Sequence, residues 1–141
     1  MNRSHRAQSP SRPVAKQWGP EIPDDVRQAL DRLRAFAPDV IVAGHGPVTD
    51  ASAIDTTQQY LLRLENLARD AYAAGLTPLE AARRADLGTF RALLNTERLV
   101  GNLHRAYAEI RGGAPGSPVD LAAAIADMAA YGGGRLPECL A

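Results

Sequence analysis

The sequence predicts a mainly α fold with one or two short strands. Alanine and leucine dominate while aromatic residues make up only 5% of the chain, a composition that favours helices. Several stretches repeat apolar residues at helical spacing and carry start or stop signals at their ends. A single stretch, Asp39 to Ala43, reads clearly as a strand.

Residues 1–20 read as a disordered basic arm. Arg3, Arg6, Arg12 and Lys16 are basic, no acid precedes Glu21, and Ser4, Ser9, Pro10, Ser11 and Pro13 break any periodicity. A weak contact to an anionic partner is the functional alternative for such an arm. Val14 to Trp18 is at most a marginal strand, confined to an edge by Pro13.

The first helix is expected from Pro23 to about Ala37. Pro23 suits the first turn, and Asp24 and Asp25 suit the positive end of the dipole. Val26, Ala29, Leu30, Leu33 and Phe36 or Ala37 share one face, and Pro38 ends the helix. The strand Asp39–Ala43 follows after a very short connection, so this helix should pack back on the strand's sheet. A β-branched apolar run of this kind suggests burial on both faces.

A long helix is expected from about Ala51 to Ala74, capped by Asp50 and closed by Gly75. Ile54, Leu61, Leu64, Ala68, Ala71 and Tyr72 mark its buried stripe. Thr77-Pro78-Leu79-Glu80 is a helix start with a capping box, and that short helix runs to about Ala85. Leu87 to Leu94 adds a further turn. The next helix, Glu97 to Arg111, places Leu99, Val100, Leu103, Tyr107 and Ile110 on one face before Gly112 and Gly113 end it. Gly112 to Pro118 is a linker by composition. A last, alanine-rich helix, about Val119–Tyr131, carries Leu121, Ile125 and Met128 and stops at Gly132–Gly134, leaving a frayed tail.

At 141 residues the chain suits one domain with a real core. With 16 basic and 16 acidic side chains the formal net charge is zero, which argues against a nucleic-acid or membrane-surface binder. No apolar run approaches the ~20 residues needed to span a bilayer. Cys139 is the only cysteine, which excludes an internal disulfide or a thiolate cluster and predicts a reducing, cytoplasmic setting.

Chemistry concentrates where the strand stops. His45 stands between Gly44 and Gly46, and Pro47 follows. The glycines allow a sharp turn with open space around the imidazole, so His45 is placed to bind a metal or move a proton. The competing reading is a tight strand-to-helix turn whose histidine caps a loop.

The run Leu33-Arg34-Ala35-Phe36-Ala37-Pro38-Asp39-Val40-Ile41-Val42-Ala43-Gly44-His45-Gly46-Pro47-Val48 resembles the closing segment of metallo-β-lactamase-fold hydrolases. In those proteins a strand ends in a Pro-Gly-His-Gly-type turn whose histidine completes a two-zinc site. Leu76–Ala82 and Glu97–Tyr107 look like the C-terminal helices of the glyoxalase-II-like branch. The resemblance covers about residues 24–112 and departs at Ala43, where the family usually has proline.

The resemblance implies a C-terminal fragment of an α/β (αββα sandwich) fold with a helical extension, spanning residues 21–112. Residues 113–141 then form a linker, a short helix and a tail. It implies zinc as the parent family's cofactor and His45 as a metal ligand. Zinc lowers the pKa of bound water to about 7, and the hydroxide attacks a carbonyl. The family's upstream His-x-His-x-Asp-His is absent, and His5, His45 and His104 are the only histidines. A catalytic zinc keeps three protein ligands, so the isolated chain is expected to be catalytically incompetent and to hold no zinc stably.

His104 lies at the border of a buried helix face and reads either as a hydrogen-bonded structural histidine or, with Asn102 or Arg105, as lining a substrate pocket. Cys139 has no adjacent histidine or cation to activate it, and Gly132–Gly134 lacks the lysine of a phosphate loop. The strand lacks a second strand of similar quality, so its edge should pair elsewhere. The inherited function is then zinc-dependent hydrolysis in a chain reduced by truncation, a misplaced start or gene decay. The alternative is a non-catalytic helical interaction module, a homodimer or the partner of a separate upstream half, joined through the unpaired strand.

Overall fold

Five helices follow one another in the computed structural model, which describes residues 24–44, 46–92, 95–112 and 118–136. They are α1 (Asp24–Ala35), α2 (Ser52–Ala73), α3 (Pro78–Arg84), α4 (Arg98–Ile110) and α5 (Leu121–Tyr131), with a 3-10 turn at Gly88–Ala92. The mainly α expectation holds. The basic arm, Val14–Trp18, His5, His45 and Cys139 lie outside the described residues.

The helix ends follow their local chemistry. The α2 C-terminus closes on Gly75, which adopts a left-handed φ of 71°. Gly75 N–H donates to the Tyr72 carbonyl and Leu76 N–H to the Ala71 carbonyl, both at 3.0 Å, the paired bonds of a Schellman ending. Two residues later Thr77 begins α3 with a complete capping box. Glu80 N–H donates to Thr77 Oγ1 at 3.2 Å, and Thr77 N–H donates back to Glu80 Oε2 at 2.9 Å. The Thr77 amide first, and second its hydroxyl, which also donates to Glu80 Oε2 at 2.9 Å, hold the Glu80 carboxyl below its usual range. Asp120 caps α5 by accepting from Ala123 N–H at 3.0 Å. Asp50 sits one residue before the α2 cap position, where Oδ1 accepts from Ser52 N–H at 2.9 Å.

The core gathers around α4. Leu99, Val100, Leu103 and Tyr107 are buried against Ala68 and Ala71 of α2 and Ala81 and Ala82 of α3. Leu103 and Val100 are the largest fully buried side chains among the described residues. Tyr107 donates its hydroxyl to the Leu76 carbonyl at 3.0 Å and meets the Tyr72 ring edge-on at 5.2 Å. Burial, and secondarily the charge of Glu80, pushes the Tyr107 phenol above its ordinary pKa. The α5 helix completes the core with buried Ala124 and with Met128 and Tyr131 packed against it. A β-carbon on Gly101 would sit 3.1 Å from Met128 Sδ, so the missing side chain in α4 is what lets α5 approach.

The predicted strand is a correction. Among the described residues no strand forms, and Asp39–Ala43 contributes only Ile41, in an isolated antiparallel bridge to Thr49. Ile41 N–H donates to the Thr49 carbonyl at 2.7 Å and Thr49 N–H to the Ile41 carbonyl at 2.9 Å. The next hydrogen-bonded pair inward would be Ala43 with Pro47, and Pro47 has no N–H to give. The next outward would need Ala51, which already leads into α2. One pair is all the ladder can hold.

The α1 face is corrected with it. Of the expected stripe only Leu30 is buried; Val26 is half-buried, and Ala29, Leu33 and Phe36 are exposed. The helix has no sheet to lie on among the described residues and rests on α2 instead. Arg34 fastens it there, donating to Asp55 Oδ1 at 2.8 Å and to Gln58. It also ends at Ala35, two residues early, because Pro38 disfavours helical backbone at Ala37. Ala37 instead takes a left-handed φ of 45°. Tyr72, Ile110, Leu121 and Ile125 are likewise exposed rather than buried as expected.

Leu103→Ala should lower unfolding stability by about 3 kcal/mol, measured by urea denaturation, whereas Phe36→Ala should change it by less than about 0.5 kcal/mol. Because the Glu80 carboxyl is held below its ordinary pKa, its stabilisation is present at neutral pH. It is lost as pH falls through the depressed value. Glu80→Gln should therefore lower the melting temperature at pH 7, with the gap to the native chain closing on acidification. A gap that persists at low pH would remove the charge from the cap.

Candidate functional site

Two places in the fold carry the sequence-predicted residues, and they lie on different elements. The first is the loop closed by the Ile41–Thr49 bridge. Gly44 and Gly46 are exposed in it, with no atom within 4 Å of where a β-carbon would stand. Gly46 has a φ of 103°, which an L-residue rarely adopts. The turn thus requires glycine at 46, whereas Gly44 answers to open space alone. His45, between them, lies outside the described residues.

The flank of this loop is an open edge. In an antiparallel pair, residues alternate between bonding inward and bonding outward. Since Ile41 bonds inward to Thr49, the N–H and C=O groups of Val40 and Val42 face the other way and meet no backbone partner among the described residues. Their side chains are 63% and 78% exposed, and Phe36 and Val48 beside them in sequence are exposed too.

The second place is α4, where the expected trio does not converge. His104 faces α5, with Nε2 2.8 Å from Asp127 Oδ2 and side-chain exposures of 13% and 32%. This pair joins two helices of the core and opens onto no described cleft. Arg105 is half-buried and also lines none. Asn102 points elsewhere on the helix, donating through Nδ2 to the Tyr60 hydroxyl at 2.9 Å. It lines a half-open cleft of about 190 Å³ between α2, the 3-10 turn and the start of α4.

Sequence reasoning missed the rest of that cleft. Tyr60 lies off the apolar stripe of α2, and Phe90 falls in a turn with no periodicity, yet their rings meet edge-to-face at 5.4 Å. Leu87 and Leu99 form the apolar floor, with Thr96 and Arg98 at the rim. Arg63 holds the neighbouring turn by donating through Nε to the Asp86 carbonyl at 2.9 Å. No local signal joins positions 60, 90 and 102, because they meet only through tertiary packing.

The resemblance implies a zinc site, which needs a cluster of donor side chains. Among the described residues no three His, Cys, Asp or Glu side chains group so as to hold a metal ion. His104 and Asp127 supply two groups to each other, without a third. The described residues therefore do not fit a catalytic zinc, which needs three protein ligands. Also among them, no helix is long and apolar enough to cross a membrane.

No protein-family model matches the chain, and no curated protein or solved structure is significantly similar to it.

The His104–Asp127 pair should govern how firmly α5 is held. Removing either partner with His104→Ala or Asp127→Ala should raise amide hydrogen exchange across Leu121–Tyr131 about tenfold, the scale of one half-buried charged hydrogen bond. Exchange in the α2–α4 core should be unchanged. Uniform acceleration across all helices would place the pair in the global fold instead.

Proposed function

We propose that this chain is the C-terminal portion of a metallo-β-lactamase-type zinc hydrolase, contributing His45 as one ligand and unable to catalyse hydrolysis alone. The observation that carries the reading is the open edge at Val40 and Val42. Its exposed valines and outward backbone groups are what a strand looks like when the rest of its sheet is supplied by other residues. The resemblance of Gly44-His45-Gly46-Pro47 to the family's ligand turn, and of the α3 and α4 sequences to its C-terminal helices, supports the same assignment. A fold-level likeness alone does not establish an activity, and no step of the reaction is assigned to the described residues. The metal's remaining ligands, like the rest of the sheet, would come from elsewhere.

The same edge favours a second reading, a non-catalytic helical interaction module. In that case Val40, Val42, Phe36 and Val48 are its interface, in a homodimer or with a separate upstream half. An added strand would satisfy the outward groups and cover these side chains.

Zinc affinity separates the two readings. The hydrolase reading expects weak binding of added zinc by the purified chain, diminished at least about tenfold by His45→Ala, as measured by titration and elemental mass spectrometry. Unchanged affinity in the variant would take the metal role away from this chain. The interaction reading expects a dimer or larger species by size-exclusion chromatography with light scattering. A cooperatively folded monomer counts against the homodimer.

A further inference from the structure

The cleft beside α4 has a polar pair that the fold itself leaves half used. Asn102 Nδ2 donates to the Tyr60 oxygen, so that bond consumes one Asn102 donor and one Tyr60 acceptor. The Tyr60 O–H remains free to donate and Asn102 Oδ1 remains free to accept, and neither has a partner among the described residues. A donor and an acceptor thus stand side by side at the wall of a cleft that the Phe90 ring and the apolar side chains of Leu87 and Leu99 also line, together with Asn95, Thr96 and Arg98.

We propose that this cleft binds a small planar ring carrying adjacent N–H and C=O groups, a cyclic amide or imide of the pyrimidine-dione type. Three properties select that chemistry. The volume of about 190 Å³ suits one six-membered ring, since a cavity of about 150 Å³ takes a benzene. Phe90 and the leucines offer flat apolar contact, which a planar ring fills better than a flexible chain. The neighbouring O–H and Oδ1 match a neighbouring C=O and N–H, each ligand group receiving the bond that the protein otherwise leaves to water. Thr96 and Arg98 stand at the rim, where a substituent on the ring would emerge. The proposal is independent of the hydrolase reading, because it involves neither zinc nor His45.

Titration of the full chain with uracil, followed by nuclear magnetic resonance, tests it. Saturable shifts should appear at Tyr60, Phe90, Leu99 and Asn102, with a Kd on the order of millimolar for so few ligand atoms. In 1,3-dimethyluracil the N–H groups are replaced while the ring is kept, so it should bind about fivefold more weakly, one hydrogen bond's worth. Tyr60→Phe preserves the ring packing and removes only the hydroxyl. It should weaken uracil by a similar factor while lowering the thermal melt only by the loss of the Asn102 bond, and Asn102→Ala provides a second variant should the first fold poorly. The proposal is overturned if uracil gives no saturable shifts up to about 10 mM. It is equally overturned if the two probes bind alike, or if both variants bind uracil as the native chain does.

Discussion

The structure depends on how closely its other helices can approach α4. Leu103 and Val100 are fully enclosed because the residues facing them are small. Ala68 and Ala71 come from α2, Ala81 and Ala82 from α3, and Ala124 lies on α5. Alanine surrenders little side-chain entropy on burial and lets backbones come near, so a short chain with few aromatics can still enclose two large aliphatic residues. Gly101 extends the same device to Met128. The buried hydroxyl of Tyr107 is satisfied by the Leu76 carbonyl, which lets one of the few aromatic residues enter the core without a stranded polar group. The α4 helix is consequently fixed on several sides, and the Asn102 and His104 side chains leave it in directions set by that packing.

Against this core, the 36–50 segment follows a different logic. Its apolar residues are arranged for burial, yet Phe36, Val40, Val42 and Val48 are exposed. The helical core is complete without them, since the buried cluster contains none of these residues. This apolar run therefore adds nothing to the buried cluster that holds the helices together. That asymmetry is common to both functional proposals, which part over whether His45 serves as a metal ligand.

Much of the helical architecture was legible in the sequence because it rests on local chemistry. The Thr77–Glu80 box, Gly75 and Pro78 each act within a few residues, so their positions mark helix ends without knowledge of the fold. The α4 stripe was legible for the same reason, since Leu99, Val100, Leu103 and Tyr107 face inward at helical spacing. The strand and the α1 face depart from expectation because periodicity reports what a segment could bury, whereas ladder length depends on Pro47 and burial depends on a sheet that the described residues do not form. The cleft was illegible except for Asn102. Tyr60 and Phe90 gain their meaning from each other, through a contact no spacing rule anticipates.

The Ile41–Thr49 bridge closes a loop of only seven residues, 42–48. So short a closure carries a small entropic penalty and involves contacts near in sequence, which form early and fast. The direction of Val40 and Val42 is thus set within the chain itself. An arriving strand would meet an edge whose ordering cost has already been met, leaving the association mainly the cost of bringing two bodies together.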